Sequence, residues 1–242
     1  MILKELHPWD VTVEEAKDIQ RRLASQVSLA NDTPREVNYV AGVDISPPDS
    51  QGIATGAVVV LAFPALEVRE VKLSHAKPGM PYIPGLLSFR EVPVLVGALE
   101  ALTLTPDIIL VDGQGYAHPR RFGIACHLGL LTDIPSIGCA KSILRGHHGP
   151  LDEEEGAQAP LVDGEEVIGL ALRTRKDVAP IYVSIGHKIA LESAAHWVMA
   201  CCQGRRIPEP TRLAHQAAAG RLRPYDGPTG EASKRIQARI SI

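Results

Sequence analysis

Three apolar, β-branched runs at residues 38–45, 56–63 and 68–73 follow one another with only short, turn-rich gaps between them. Such runs read as strands, and gaps that short point to an antiparallel meander. The pattern then changes. Helical patterning at 92–102 and 121–131 alternates with short apolar stretches at 107–111 and 136–140, followed by strand patterns at 167–173 and 181–185 and a closing helix at 190–202. A meander that continues into alternating helices and strands constrains the chain to an α/β fold. The expected sheet is mixed, three antiparallel strands then parallel ones, with helices on its faces. Ahead of the meander, Thr12-x-x-Glu15 has the form of a capping box, and Ala16, Ile19, Leu23 and Val27 recur at helical spacing. Together they predict an N-terminal amphipathic helix.

Against that frame three acids stand out: Asp44 in YVAGVDIS, Glu91 in LLSFREVP and Asp112 in DIILVDGQG. A carboxylate that closes a buried strand sits where core meets solvent, the usual position of a crevice in an open α/β sheet. Converging, the three would make an oxygen-rich, negative site suited to Mg²⁺, with Mn²⁺ as a substitute. Such a site fits phosphodiester hydrolysis. Each acid also has a plainer role open to it. Asp44 and Asp112 could start Asx turns, and Ser88-x-x-Glu91 fits a capping box at a helix start.

Composition narrows the setting. The chain has 242 residues, 45% hydrophobic, a length suited to one large α/β domain. No apolar run approaches roughly 18 residues and the N-terminus has no apolar core, so neither membrane span nor signal peptide is expected. Cys126, Cys139, Cys201 and Cys202 show no C-x-x-C spacing and read as reduced cytoplasmic thiols. A net charge of −3 argues against a nucleic-acid partner until its distribution is considered. Residues 151–172 hold seven acids and no Lys or Arg, whereas residues 201–242 hold eight basic residues against three acids. A basic face attracts phosphate even on a mildly acidic chain. Residues 1–220 are read as one domain and 221–242 as a basic tail whose order the sequence leaves open. A monomer is expected.

Three further stretches carry chemistry. Pro81-Tyr82-Ile83-Pro84-Gly85 has prolines on both sides of a Tyr-Ile pair, which predicts a stiff loop with an exposed apolar tip. Stiff apolar tips are what proteins insert between base steps, although a loop packed on the core would look the same. The turn Gly113-Gln114-Gly115 fails as a dinucleotide fingerprint because His118 stands where the third glycine belongs. Its glycines would instead allow a ligand to approach the main chain. His118 is read as a phosphate or base contact; Arg120 and Arg121 are left unassigned.

The segments VAGVDIS, PYIPGLLSFRE, LVDGQGYAHPRRFGIACHLG, IGCAKS and EPTRLAH, spread from Tyr39 to His215, resemble the bacterial endonuclease V family. The resemblance implies an RNase H-like fold, Mg²⁺ dependence and incision of DNA containing deoxyinosine at the second phosphodiester bond on its 3′ side, leaving 3′-hydroxyl and 5′-phosphate ends. It implies Asp44, Glu91 and Asp112 as metal ligands, Lys141 at the scissile phosphate and His215 as an aid to the metal site. It further implies a strand-separating wedge of Pro81, Tyr82, Ile83, Pro84 and Gly85, led by Tyr82, and a hypoxanthine pocket around Gly113, Gly123 and Ala140. Two other readings stay open: an RNase H-like nuclease for branched DNA or inosine-containing RNA, and a non-catalytic nucleic-acid-binding module.

Overall fold

The computed structural model describes residues 1–227. Its elements are α1 (Val13–Ala24), β1 (Tyr39–Ile45), β2 (Ala54–Ala62), β3 (Glu67–Ala76), α2 (Leu87–Glu100), β4 (Ile108–Val111), α3 (Ile124–Thr132) and β5 (Ser136–Ala140). They continue with β6 (Gln158–Asp163), β7 (Glu166–Leu172), β8 (Ile181–His187), α4 (Leu191–Ala200) and α5 (Glu209–Ala218). The eight strands form a mixed sheet in the order β3-β2-β1-β4-β5-β8-β7-β6. The meander is antiparallel, β1, β4 and β5 run parallel, and the far half from β5 through β8 and β7 to β6 is antiparallel again. This is the RNase H-like mixed sheet that the pattern and the resemblance predict, extended by a second antiparallel half.

The central strands read as continuous apolar runs because both faces of the sheet are covered. Val40, Ile108, Leu110 and Ile137 face α4 and α5, against Ala194, Val198, Leu213 and Ala217. Ala41, Val43, Ile109 and Val111 face α2 and α3, against Leu95, Leu99, Ala125 and Leu128. α1 has its capping box: the Glu15 N–H donates to Thr12 Oγ1, and the Thr12 N–H donates to Glu15 Oε2 at 2.7 Å.

Three differences from the sequence reading concern the site. α2 begins at Leu87, five residues before the predicted start, so Pro93 lies inside the helix and Glu91 is helical. No side chain caps this helix, and the Ser88 hydroxyl has no partner, so Glu91 does not complete a capping box. β6 and α5 were not anticipated. Finally, the chain after Gly220 begins ordered: Leu222 and Tyr225 are buried, and Tyr225 exchanges backbone hydrogen bonds with Val71 at 2.7 and 3.1 Å. The remainder of the expected tail, 228–242, lies outside the described residues.

α5 crosses β1 at Gly42, where a Cβ would lie 1.9 Å from the Pro210 carbonyl oxygen. Backbone on both sides leaves no room to repack. Gly42→Ala is therefore expected to lower stability by about 3 kcal/mol, measurable as a shift in the denaturant midpoint. An unchanged midpoint would mean that α5 is not seated on β1 in this way.

Candidate active site

Because β1 and β4 run parallel with Val43 opposite Val111, Asp44 and Asp112 follow side by side at the carboxyl ends of the two central strands. Glu91 reaches the same place from α2. Burial, followed by the negative charge of Asp44, pushes its carboxyl up to about 7; Arg90 opposes this and Asp112 adds to it. Burial also raises Asp44, against a hydrogen bond from His215 and with a further push from Asp112. Asp44 and Asp112 thus both act on Glu91, and Asp112 on Asp44, so the three acids lie within reach of one another's charge.

Lys141 and His215 flank them. Lys141, just past β5, pairs its Nζ with Asp112 Oδ2. The His215 ring on α5 donates from Nδ1 to Asp44 Oδ2 at 2.7 Å. Among the described residues no three His, Cys, Asp or Glu side chains stand close enough together to hold a metal ion as placed. The donor set nevertheless suits a hard divalent cation. It offers carboxylate oxygens from three elements, and burial and neighbouring charges act on Glu91 with no hydrogen bond to its carboxyl.

Beside the acids opens a cavity of about 240 Å³. Tyr82, Gly85, Asp112, Gly113, His118, Gly123, Ala140 and Lys141 of the expected residues line it; Asp44, Glu91 and His215 do not. Gly123 must be glycine, since a Cβ there would meet the Gln114 carbonyl oxygen at 2.2 Å. Tyr82 is 68% exposed, as expected of a wedge. Ile83 is not part of the exposed tip: it folds back against Leu86 and Phe89, with Pro81 and Pro84 exposed around it.

His118 lines the cavity with its ring already engaged by the protein. Buried, and next to Arg120, it is held down to about 4 and is therefore neutral. Its Nδ1 accepts the Arg120 N–H at 3.1 Å and its Nε2 donates to the Gly85 carbonyl at 3.0 Å, so both ring nitrogens serve the backbone. Arg121, at φ 54, pairs with Asp163 and Glu166, and Arg145 also pairs with Asp163. The acidic segment thus neutralises arginines beside the cavity.

Sequence reasoning missed Gln20, Ser88 and Gln114 as lining residues. The Ser88 hydroxyl and Gln114 Oε1 are buried there without a partner, while Gln114 Nε2 donates to the Ser142 carbonyl at 2.8 Å. One signal was present: Gln20 interrupts the apolar stripe Ala16, Ile19, Leu23 of α1.

An RNase H-like sheet with carboxylates at the ends of its central parallel strands defines a class of nucleic-acid-cleaving enzymes. Within that class, the family model for Endonuclease V matches residues 21–216. The endonuclease V of Roseiflexus castenholzii is 50% identical over 217 residues, covering 89% of this chain and 96% of that protein. The crystal structure of endonuclease V from Streptomyces avermitilis superposes with a TM-score of 0.84 at 40% identity, covering 88% of this chain and 94% of that one. That of Ciona intestinalis endonuclease V, in complex with a 23mer DNA containing an inosine followed by a ribo-adenosine, gives 0.75 at 30% identity, covering 87% and 98%. The chain belongs to the endonuclease V family, a family of DNA-repair nucleases.

The raised Glu91 carboxyl has a consequence for stability. Its ordinary value is 4.5, so between 4.5 and about 7 the folded chain holds a proton that the unfolded chain has lost. Its stabilising contribution is complete below the lower value and is lost as pH rises through the upper one. Glu91→Gln, neutral throughout, is expected to raise the melting temperature at about pH 8 and to leave it nearly unchanged at about pH 4. A pH-independent difference would mean that burial and neighbouring charge do not raise the Glu91 carboxyl.

Proposed function

We propose that the chain is an Mg²⁺-dependent endonuclease that recognises deoxyinosine in DNA and hydrolyses the second phosphodiester bond 3′ to it, leaving 3′-hydroxyl and 5′-phosphate ends. The observation that carries the reading is the juxtaposition of three neighbouring carboxyls, the flanking Lys141 and His215 side chains and a base-sized cavity with an exposed tyrosine at its lip. The inosine-containing DNA bound by the Ciona relative supports the choice of lesion.

Asp44, Glu91 and Asp112 hold the ion, with Mn²⁺ as a substitute. When bound, it supplies activation of the attacking water and neutralises charge on the leaving 3′-oxygen. The protein's own groups do the rest. Lys141, paired with Asp112 here, lies at the mouth of the cavity, where its ammonium would neutralise the scissile phosphate. His215 stays on Asp44 and orients that carboxylate. Tyr82 enters the base stack and holds the strands apart, which leaves a mispaired hypoxanthine, cheaper to flip than a paired base, free to enter the cavity. There, main-chain groups around Gly113, Gly123 and Ala140 meet its edge, with the unpartnered Ser88 hydroxyl and Gln114 oxygen as further polar contacts.

Residues 1–220 form the domain that carries this activity, and the enzyme works as a cytoplasmic monomer. No helix among the described residues is long and apolar enough to cross a membrane. Inosine in RNA, presented to the same cavity, is the second substrate to test.

The experiment is incision of end-labelled duplex carrying one deoxyinosine, with Mg²⁺ and with EDTA, beside an undamaged control. A single Mg²⁺-dependent nick one nucleotide beyond the lesion is expected. Asp44→Asn and Asp112→Asn should each slow it by roughly 10³-fold or more with unchanged circular dichroism. Cutting at the parental rate by either well-folded variant would refute the metal assignment. Tyr82→Ala should raise KM on duplex by roughly 10- to 100-fold, the size of a lost base-stacking contact. Equal cutting of damaged and undamaged DNA by the parent would instead favour a structure-specific nuclease.

A further inference from the structure

Residues 81–84 are stiffened by two prolines, but stiffness is useful at a wedge only if its base is also fixed. That base is Gly85, at φ +80, the flexible joint between the loop and α2. Its carbonyl oxygen receives three donors: Arg120 Nη2 at 2.7 Å, Gln20 Nε2 at 3.0 Å and His118 Nε2 at 3.0 Å. A carbonyl has two lone pairs, so this acceptor is saturated, one of its donors being a charged guanidinium.

The donors are themselves tied down. Gln20, 1% exposed, also donates to the Phe122 carbonyl at 3.0 Å and accepts from Arg120 Nε at 2.5 Å. A Cβ on residue 85 would come within 2.8 Å of Arg120 Nη2, so a side chain there would push the guanidinium out of place. Packing alone does not explain Gln20. On α1 it shares a stripe with Ala16, Ile19 and Leu23, where a leucine would bury more apolar surface and leave no polar group to satisfy. It also stands one residue before the span matched by the family model.

We propose that Gln20 and Arg120 are positioning residues for lesion selection. By clamping the Gly85 carbonyl they lock the one free joint of the wedge loop and hold Tyr82 at the height where a displaced base enters the cavity. Neither touches the reacting atoms. The proposal rests on the endonuclease reading above.

The test uses the full chain with Gln20→Leu, which preserves the packing of α1, and Arg120→Lys, which keeps the charge on a single nitrogen and lacks the planar guanidinium whose Nε and Nη2 serve Gln20 and Gly85. Steady-state incision is compared on duplex and on single-stranded DNA, each with one deoxyinosine. On duplex, Gln20→Leu is expected to raise KM by roughly 10- to 100-fold with kcat nearly unchanged, the usual scale for a displaced positioning group. Arg120→Lys should fall between it and the parent. On single strands, where no stack is opened, Arg120→Lys, whose side chain does not line the cavity, should approach the parent, and Gln20→Leu should lose clearly less than on duplex. Adding Tyr82→Ala to Gln20→Leu should cause little further loss, because the two act through one wedge. Equal defects on both substrates, or additive losses with Tyr82→Ala, would overturn the proposal. Hydrogen exchange over 77–85 reads the clamp independently of activity: faster exchange in Gln20→Leu supports it and unchanged exchange refutes it. Failure of the parent to cut inosine-containing DNA would remove the endonuclease reading while leaving that exchange result to decide the clamp.

Discussion

The parallel pairing of β1 with β4 is the constraint on which the site depends. Val43 opposite Val111 puts two aspartates side by side at the strand ends, and no antiparallel pairing of the same segments would do so. The pairing is enforced from both faces. Val40 and Ile108 pack against α4 and α5, Val43 and Val111 against α2 and α3, so a one-residue slip would bury polar atoms on one side or the other. α5 adds a steric lock at Gly42, two residues before Asp44, and the same helix delivers His215 to Asp44. The aspartates are therefore held together by the apolar core against their own repulsion.

That repulsion sets the local electrostatics. Lys141 and His215 each settle on one aspartate, and burial, with the charge of Asp44 beside it, pushes the Glu91 carboxyl up to about 7. A proton on Glu91 and a bound divalent cation would answer the same excess of negative charge and so would compete. The chain outside the site follows the opposite rule. Asp163 and Glu166, from the acidic stretch with no evident purpose in the sequence, pair with Arg121 and Arg145; these contacts pull Asp163 down to about 2. Acids there are matched within the fold, whereas acids at the strand ends are left in excess.

Much of the fold was legible because it is written in local periodicity. The meander, the strands around residues 108 and 138 and the N-terminal helix all fall where runs and caps put them. β6 was not legible, since its residues 158–163 alternate weakly and include Pro160. α5 was hidden by two prolines at its start, although proline in a first turn is itself a helix signal. Tertiary contacts decided the rest. The Glu91 capping box is absent because α2 begins a turn earlier than its pattern suggests. His118 faces the backbone and not solvent because Gly85, 33 residues away in sequence, presents a carbonyl to it. The acids were readable as candidates from their position after apolar runs, and their convergence was not, because it depends on strand order.

The wedge loop joins both kinds of information. Its two prolines are visible in sequence and predict rigidity, yet a rigid segment on a free joint swings as one piece. Tyr82 can do directed work only if Gly85 is immobile, and glycine at positive φ has little of its own to make it so. The immobility comes from outside the loop, through Gln20 on the first helix and Arg120 and His118 in the turn after β4. Those three bonds also define one wall of the cavity. In the proposed mechanism the loop that would open the duplex and the cavity that would receive the base thus meet at one atom, the Gly85 carbonyl oxygen.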